Sequence, residues 1–186
     1  MRVLAAAALI ALSTAVPSFA AHWNVDPASK LGFSVVWSGE PLNGVFKRWK
    51  ADIVFDPADL AHAHVAATID TGSVVTDYPD GDSGLKGDIG FAAGRFPVAR
   101  FETTGFRRLP DGSYVADAKL TIRGITKPLQ LPFKLAIQGN RARVTGRTTV
   151  IRTDFGVGQG EWAAPEPVEH QVTVTLDLTT TKSGGN

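Results

Sequence analysis

The sequence predicts an all-β fold, built as a single antiparallel barrel of eight strands with one or two short helices. Two observations support this prediction. Apolar residues alternate with polar ones in several short segments between Trp23 and Thr181, and this period of two is typical of half-buried antiparallel strands. Turn-forming residues separate the segments at 56–59, 110–112 and 138–140, where we expect the chain to reverse direction.

The first element of the chain is typical of a secretory signal peptide. Arg2 supplies a positive charge, residues 3–16 form an apolar run rich in alanine and leucine, and Ser18-Phe19-Ala20 fits a small-x-small cleavage site. The apolar run is shorter than the roughly 20 residues that a membrane-spanning helix requires. We therefore predict cleavage after Ala20, a periplasmic location, and a mature protein that does not span the membrane.

The strand-like segments follow one another along the mature chain. They cover residues 31–37, 45–55, 63–69, 114–122, 129–137, 144–150 and 172–178. About eight strands with one apolar face each can form a sandwich or a closed barrel. We favour the barrel, because the segments contain few of the proline and lysine residues that protect exposed sheet edges. An eight-stranded barrel encloses enough space for its own side chains or for one small ligand.

Residues 77–95 lack the two-residue period and are rich in glycine and aspartate. We predict one or two short helices here, lying across the sheet or closing one end of it. Asp80, Asp82 and Asp88 do not have the spacing or the terminal glutamate of an EF-hand. We interpret them as part of a solvated loop with a helix-capping aspartate. We expect one domain over residues 21–181, between the signal peptide at 1–20 and a disordered tail at 182–186.

Composition excludes several functional classes. Without Arg2 the chain has 18 basic and 18 acidic residues, so it lacks the strongly basic character that is typical of nucleic-acid binding. It has no cysteine, which excludes disulfides and thiolate metal sites. A Gly-x-Ser-x-Gly nucleophile motif is also missing, and we predict no enzymatic activity. The oligomeric state stays open, because a closed barrel has no free edge but can still dimerise through its faces.

Three polar motifs have both a structural and a functional interpretation. His62 and His64 have a spacing that can chelate a metal, but without a third ligand nearby we interpret them as two solvent-facing histidines on one strand and predict no metal site. Arg123 precedes a glycine turn, with Pro128 opening the next strand; it is structural unless it points to a cavity mouth and meets a head group. Arg152 and Asp154 are two residues apart, so we expect them to share a strand face and to form a structural pair.

Four motifs resemble those of a known family. They are Trp-Asn-Val-Asp-Pro-x-Ser at 23–29, Ile-Val-Phe-Asp at 53–56, Leu-Thr-Ile-Arg-Gly-Ile-Thr-Lys-Pro at 120–128 and Arg-Thr-Asp-Phe-Gly at 152–156. With these motifs the chain resembles the YceI-like family of lipid- and polyisoprenoid-binding periplasmic proteins over essentially its whole mature length. The resemblance implies a lipocalin-like barrel that holds an isoprenoid or a similar amphiphile as its ligand, with no cofactor and no covalent chemistry.

The predicted ligand-binding residues are apolar residues that would line a tunnel inside the barrel. They are Phe33, Val35, Trp37, Phe46, Phe55, Phe101, Leu120, Ile122, Phe133 and Val174. The residues alone are equally compatible with a tunnel and with a core in which they fill the barrel themselves. The resemblance favours the tunnel.

Two stretches depart from the pattern of many members of this family. Trp-Ser-Gly at 37–39 replaces a histidine that often follows the first strand, and residues 84–91 are a looser form of the helical motif. Trp-Ser-Gly, together with Gly-Gln-Gly-Glu-Trp at 158–162, is similar to a sub-branch linked to membrane b-type cytochromes. This association implies a quinone as a candidate ligand and an inner-membrane b-type cytochrome as a candidate partner. The alternative is an interaction module with a filled barrel that only docks this partner.

Overall fold

The computed structural model describes residues 21–183 and shows, within them, eleven strands and one α-helix. The strands are β1 (His22–Val25), β2 (Lys30–Trp37), β3 (Glu40–Phe46), β4 (Trp49–Val54), β5 (His64–Asp70), β6 (Val74–Thr76), β7 (Val98–Arg108), β8 (Tyr114–Ile122), β9 (Ile125–Gln138), β10 (Arg141–Ile151) and β11 (Val168–Lys182). Helix α1 (Pro79–Lys86) lies between β6 and β7, and short 3₁₀ turns cover Thr71–Ser73, Arg152–Phe155 and Gly160–Trp162.

Eight of these strands form a closed antiparallel ring, in the order β1-β4-β5-β7-β8-β9-β10-β11, with β1 paired to β11. Strand β11 is 15 residues long. One of its edges pairs with β10, and along the other edge the C-terminal end pairs with β1 and the preceding part with β2. Strands β2, β3 and β6 extend the wall above the ring. The predicted eight-stranded barrel with a short helix is therefore confirmed, and so are the predicted turns that join β7 to β8 and β9 to β10.

The alternation of apolar residues did not reveal two of the ring strands, the short β1 and the 11-residue β7. A β-bulge shifts the register of β7 between Thr103 and Gly105. Ala99 and Phe101 before the bulge and Phe106 after it all face the interior, although they do not follow one continuous period of two. An extra residue in a strand changes which side chains point inward, so the sequence pattern is broken here while the strand continues.

One end of the barrel is closed by five packed aromatic side chains, which we call the aromatic base. Phe55 lies at its centre, with ring centroids 5.2 Å from Phe106, 5.7 Å from Tyr114 and 6.0 Å from Phe133. The fifth member, Trp23, donates its Nε1–H to the carbonyl of Phe55 at 2.9 Å. Such aromatic pairs contribute about 0.5–1.5 kcal/mol each beyond their buried area, so the base forms a solid floor.

The opposite end is covered by three segments that meet above the barrel, which we call the cap. It consists of the β2–β3 turn, residues 77–97 around α1, and residues 152–168. Trp37 packs edge-on against Tyr78 and Trp162, with ring centroids 5.9 and 5.5 Å apart, and a Cβ at Gly84 of α1 would overlap the Trp162 ring. The prediction of a helix that closes one end of the sheet is confirmed.

The predicted helix-capping aspartate is wrong. The N-cap residue of α1 is Tyr78, which makes no capping hydrogen bond with its side chain, and Pro79 follows at the position where a missing N–H is tolerated. Asp82 lies inside the helix, where its Oδ1 accepts hydrogen bonds from the backbone N and from Oγ1 of Thr76, at 2.9 and 2.7 Å. It anchors α1 to β6 instead of capping the helix.

Three smaller predictions need correction. His62 does not share a strand face with His64, because β5 begins at His64 and His62 lies in the preceding turn, with Nδ1 2.8 Å from Oδ2 of Asp59. Pro128 lies inside β9, which begins at Ile125. The chain is ordered beyond 181, since β11 continues to Lys182. Residues 184–186 and the predicted signal peptide at 1–20 lie outside the described residues.

Residues 21–183 contain no cluster of three histidine, aspartate or glutamate side chains that could hold a metal ion. No helix in this part of the chain is long and apolar enough to cross a membrane.

Two ion pairs link neighbouring strands on the outer wall and give the stability a pH dependence. Hydrogen bonds from Arg107, and then from Gln130, hold the pKa of Asp117 below its ordinary value, and Arg143 lowers the pKa of Asp177 in the same way. A lowered pKa in the folded state adds stability above the ordinary aspartate pKa of about 3.9, and this stability is lost as the pH falls through the folded-state value.

We therefore expect the free energy of unfolding in urea to decrease as the pH falls below about 4. The decrease should be shallower in a variant that carries Asp117→Asn and Asp177→Asn. The effect is modest, because both pairs are solvent-exposed and screened. Identical pH profiles for the variant and the unaltered protein would contradict this assignment.

Candidate ligand cavity

An apolar cavity of about 290 Å³ lies inside the barrel, between the aromatic base and the cap. Its volume is close to the lower end of the range of ligand pockets, roughly 300–1,000 Å³. Inward-facing residues of all eight ring strands and of β2 and β3 form its walls, and Leu85 of α1 and Phe91 close it from the cap. The barrel interior therefore contains a space whose surface is almost entirely hydrocarbon.

All ten residues that we predicted as tunnel lining face this cavity. Val35, Phe55 and Phe133 are buried, at 6–8% exposure. Val35 packs against Trp162 and Val168 of the cap, and the two phenylalanines belong to the aromatic base. The other seven point inward and yet are only half-buried. Side chains in a filled core pack without gaps, so this partial exposure means that they border open space. Their contact with a ligand stays a prediction.

One wall of the cavity is lined with small side chains, which widen the interior. Ala51 of β4 and Ala67 of β5 are paired across the strands, and Ala67 is also paired with Phe101 of β7. Ala99 of β7 continues the same wall beside Ile69. Sequence reasoning missed these alanines as site residues because we selected large apolar side chains. The signal was their place in the alternating pattern.

A glycine on β3 keeps the middle of the cavity open. Phe33 of β2 is directly paired with Gly44, and a Cβ at Gly44 would overlap the Phe33 ring. The tip of the ring therefore lies against the backbone of β3, where a side chain at residue 44 would stand, and its centroid is 5.8 Å from that of Phe46. A side chain at residue 44 would push the Phe33 ring into the cavity.

The few hydroxyl groups on the cavity wall already have hydrogen-bond partners. Thr103 donates to the carbonyl of Val65, Thr148 to that of Gln130 and Thr180 to that of Ala142, at 3.3, 2.8 and 3.4 Å. Among the described residues, no buried side-chain nitrogen or oxygen lacks a partner. Because unpaired burial of a polar group is unfavourable, the part of a ligand that lies inside must be apolar.

Arg152 is the charged residue on the cavity wall, and it is only 6% exposed. Its guanidinium donates five hydrogen bonds to backbone carbonyls: Glu169 (2.9 Å), Val157 (3.1 Å), Gly158 (3.3 Å), Ala164 (3.0 Å) and Val168 (2.6 Å). Burial lowers the pKa of this guanidinium, but an arginine stays protonated in proteins. With every donor used, Arg152 holds segment 152–168 in place and has none left for a ligand.

The predicted pair of Arg152 with Asp154 is wrong. The two residues lie in a 3₁₀ turn and not in a strand, so residues two apart do not share a face. The ion pairs of the described part of the chain do not include Arg152. Gly158 supports the arrangement that replaces the pair: its φ is +82°, and a Cβ there would overlap Nη1 of Arg152.

A family model described as "YceI-like domain" matches residues 23–180, which is most of the chain. The chain belongs to the YceI-like family. A UPF0312 protein of Pseudomonas paraeruginosa is 31% identical over 185 residues, covering 90% of this chain and 93% of the relative. A UPF0312 protein of Yersinia pestis is 32% identical over 134 residues, covering 69% of each.

Solved YceI-like structures share the fold. BcnA of Burkholderia cenocepacia superposes with a TM-score of 0.81 at 29% identity, covering 85% of this chain and 100% of BcnA. A polyisoprenoid binding domain from Saccharophagus degradans, implicated in plant cell wall breakdown, gives a TM-score of 0.66 at 15% identity, covering 89% of this chain and 99% of that domain. The second likeness establishes the fold alone.

The YceI-like motif at 120–128 forms the β8–β9 turn, and its arginine has a structural role. Nη1 of Arg123 donates to the carbonyls of Asp88, at 2.8 Å, and of Gly90. The guanidinium lies 5.8 Å from the centre of the Phe96 ring. Arg123 is not among the cavity-lining residues. These contacts fasten the β8–β9 turn to the segment after α1 and do not support a head-group role for Arg123.

Proposed function

We propose that this YceI-like protein binds the isoprenoid chain of an amphiphilic lipid inside its barrel and carries it through the periplasm without covalent chemistry. The observation that carries the proposal is the open apolar cavity, whose wall is almost entirely hydrocarbon and whose threonine hydroxyls are already hydrogen-bonded. The Saccharophagus degradans relative is described as polyisoprenoid-binding, which supports the same ligand class. The periplasmic location rests on the predicted signal peptide at 1–20.

Hydrophobic burial is large enough to support such binding. Each buried methylene contributes about 0.8 kcal/mol, so ten contribute about 8 kcal/mol before any cost. Association and ordering cost about 4–15 kcal/mol. A useful affinity therefore requires a long tail and a preformed cavity. The cavity between the aromatic base and the cap meets the second requirement.

The cavity also bears on the alternative of a filled barrel that acts only as a docking module. In a filled barrel the inward-facing Phe33, Phe46 and Phe101 would be buried, but each is half-buried. We therefore favour a ligand-binding function. A quinone and a b-type cytochrome partner are part of the proposal through the motifs at 37–39 and 158–162. The cap places these motifs beside each other, with the Trp37 and Trp162 rings 5.5 Å apart.

Native mass spectrometry of the exported, purified protein, followed by organic extraction, tests the proposal. We expect the protein mass to equal that of a chain that starts at Ala21. The native complex should be heavier by the mass of a bound prenyl lipid, which organic solvent then extracts. Where the protein is purified empty, added polyprenyl alcohol or prenyl quinone should bind. The absence of both a co-purified lipid and binding of added prenyl ligands would sink the proposal.

Because the threonine hydroxyls of the cavity wall are already hydrogen-bonded, we predict that the affinity depends more on the length of the tail than on the head group. Shortening a polyprenyl ligand by two prenyl units should weaken binding by at least about tenfold, because each unit removes five buried carbons. Exchanging an alcohol head group for a quinone on the same tail should change the Kd by less than about tenfold. Titration of a matched ligand series by tryptophan fluorescence measures both effects. The opposite ranking would assign recognition to the head group.

A further inference from the structure

The hydrogen-bonded ladder between β9 and β10 stops halfway along the barrel. Its pairs run from Arg141 opposite Gln138 to Gly146 opposite Phe133. In residues 125–132 strand β9 pairs only with β8, and in residues 147–151 strand β10 pairs only with β11. Residues 125–132 and 147–151 therefore flank an unpaired stretch of the wall within the described chain, which we call the seam.

Two prolines explain why the ladder cannot continue. The carbonyl of Gln130 points toward β10, because it accepts a hydrogen bond from Oγ1 of Thr148. The N–H and C=O of a strand residue project to the same edge, and residues 128, 130 and 132 share that edge. Pro128 and Pro132 stand at two of these positions and have no N–H to donate. The edge of β9 that faces β10 is thus largely without donors.

No backbone ladder closes the seam, and side chains together with the 3₁₀ turn at Arg152–Phe155 separate the cavity from solvent there. Leu129 and Leu131 on one side of it, and Thr148 and Val150 on the other, line the cavity. The hydrogen bond between Thr148 and Gln130, 2.8 Å long, crosses it. By contrast, aromatic rings fill the base, and Arg152 fixes segment 152–168 of the cap with five hydrogen bonds. The seam has neither the aromatic packing of the base nor the five hydrogen bonds that fix segment 152–168.

Charge is distributed unevenly around the barrel, although the mature chain is close to neutral. Residues 98–151, which form β7 to β10 on both sides of the seam, contain ten basic and three acidic residues. Cap segments 77–97 and 152–168 contain seven acidic and three basic residues. The wall that carries the seam is therefore strongly basic, and the cap is acidic.

Exposed cations stand next to the seam. Lys119 lies opposite Pro128 on β8, and Arg147 is on β10. Both are exposed on the outer face, and neither forms an ion pair with a described residue. Two carboxylates are near: Asp117 is bound to Arg107 and Gln130, and Glu102 is paired with Lys119 across the strands. The surface beside the seam thus keeps free positive charge.

We propose that the lipid tail enters and leaves through the seam while the basic wall around it rests on an anionic phospholipid bilayer. This inference rests on the proposed function, because it concerns the route of the same ligand. Lipid phosphates complement Lys119 and Arg147, and the acidic cap is repelled by the same membrane surface. Docked in this orientation, the seam faces the membrane, and the tail passes between bilayer and cavity without crossing water.

Flotation with vesicles of phosphatidylglycerol and phosphatidylcholine tests the docking surface. We expect binding that added salt weakens. A double variant with Lys119→Glu and Arg147→Glu should bind at least tenfold more weakly. The matched control carries Lys47→Glu and Lys50→Glu, two exposed lysines in the β3–β4 turn and on β4. Equal losses in both double variants, or no vesicle binding by the unaltered protein, would overturn the docking surface.

Transfer of a fluorescent polyprenyl alcohol from the loaded protein to the same vesicles tests the seam. Replacing Pro128→Val and Pro132→Val restores two N–H donors, and we expect at least tenfold slower transfer with an unchanged equilibrium Kd. Thr148→Val removes the hydrogen bond across the seam and should speed transfer even where the double variant folds poorly. Pro41→Val on β3 is the control and should change neither quantity.

The outcomes separate this inference from the proposed function. If the probe binds every variant equally and the transfer rates do not respond to Pro128, Pro132 or Thr148, the seam is not the route, and the lipid-binding function stands. If no variant binds any prenyl probe in solution, the proposed function itself fails, and the route fails with it.

Discussion

Replacing Arg152 with methionine should lower the free energy of unfolding by about 3–5 kcal/mol, because one hydrogen bond to a charged group contributes about 1.5–3 kcal/mol and five are lost together. The variant leaves five carbonyls without the guanidinium that bonds them. Each buried polar group that stays unsatisfied costs about 1–3 kcal/mol, and the separate costs do not simply add. Segment 152–168 would lose the group at its centre, so the cap should loosen before the barrel does.

Urea unfolding measures this effect, and hydrogen exchange of residues 152–168 locates it. Arg152→Lys should recover only part of the stability, because a single ammonium group cannot replace a planar fork that reaches five acceptors. Arg147→Met is the matched control: it removes an exposed arginine from β10 and should change the stability by no more than about 0.5 kcal/mol. Equal stability of the two methionine variants would show that the buried guanidinium is dispensable.

Replacing Ala67 with phenylalanine should abolish prenyl-lipid binding and leave the protein folded. The side chain of Ala67 faces the cavity from the wall of small residues, and a phenyl ring there would occupy much of the 290 Å³. We expect affinity for a polyprenyl ligand to fall by at least about 100-fold, the equivalent of losing a few buried methylenes. Thermal stability should stay close to its original value, because the new ring fills existing space.

The neighbouring residue offers a matched control for this variant. Ala66 lies on the same strand but on the outer face, paired with Asp52 and Glu102. Ala66→Phe introduces the same ring outside the barrel and should leave the Kd unchanged. Ligand titration and thermal melting of both variants give the answer. Equal binding by the two phenylalanine variants would place the ligand outside the cavity.

The parts of the fold that could be predicted are those in which neighbouring residues share a regular period. Alternation along β2 or β8 specifies both the strand and its inward face, and for that reason Phe33, Val35, Leu120 and Ile122 all face the cavity. The bulge at Thr103–Gly105 breaks this period in β7, and the strand escaped prediction. An alternating hydrophobic pattern identifies the inward-facing side chains only while the strand continues without a bulge.

The features that could not be predicted depend on contacts between distant parts of the chain. Arg152 was expected to pair with Asp154 through a strand spacing, but the backbone turns there, and the carbonyls that it binds lie up to 17 residues away. Asp82 was assigned to a cap and instead anchors α1 to β6. The near-neutral composition concealed the basic wall and the acidic cap, because net charge contains no information on position.

The three bonded threonines of the cavity wall, Thr103, Thr148 and Thr180, have a consequence for what the protein would carry in a living cell. With every hydroxyl occupied, a barrel with the proposed function would select lipids by the width and length of their tails and not by their head groups. Its cargo would then depend on supply, and the most abundant long-chain lipid in the neighbouring membrane would fill it. A shift in that lipid pool would change the cargo without any change in the protein.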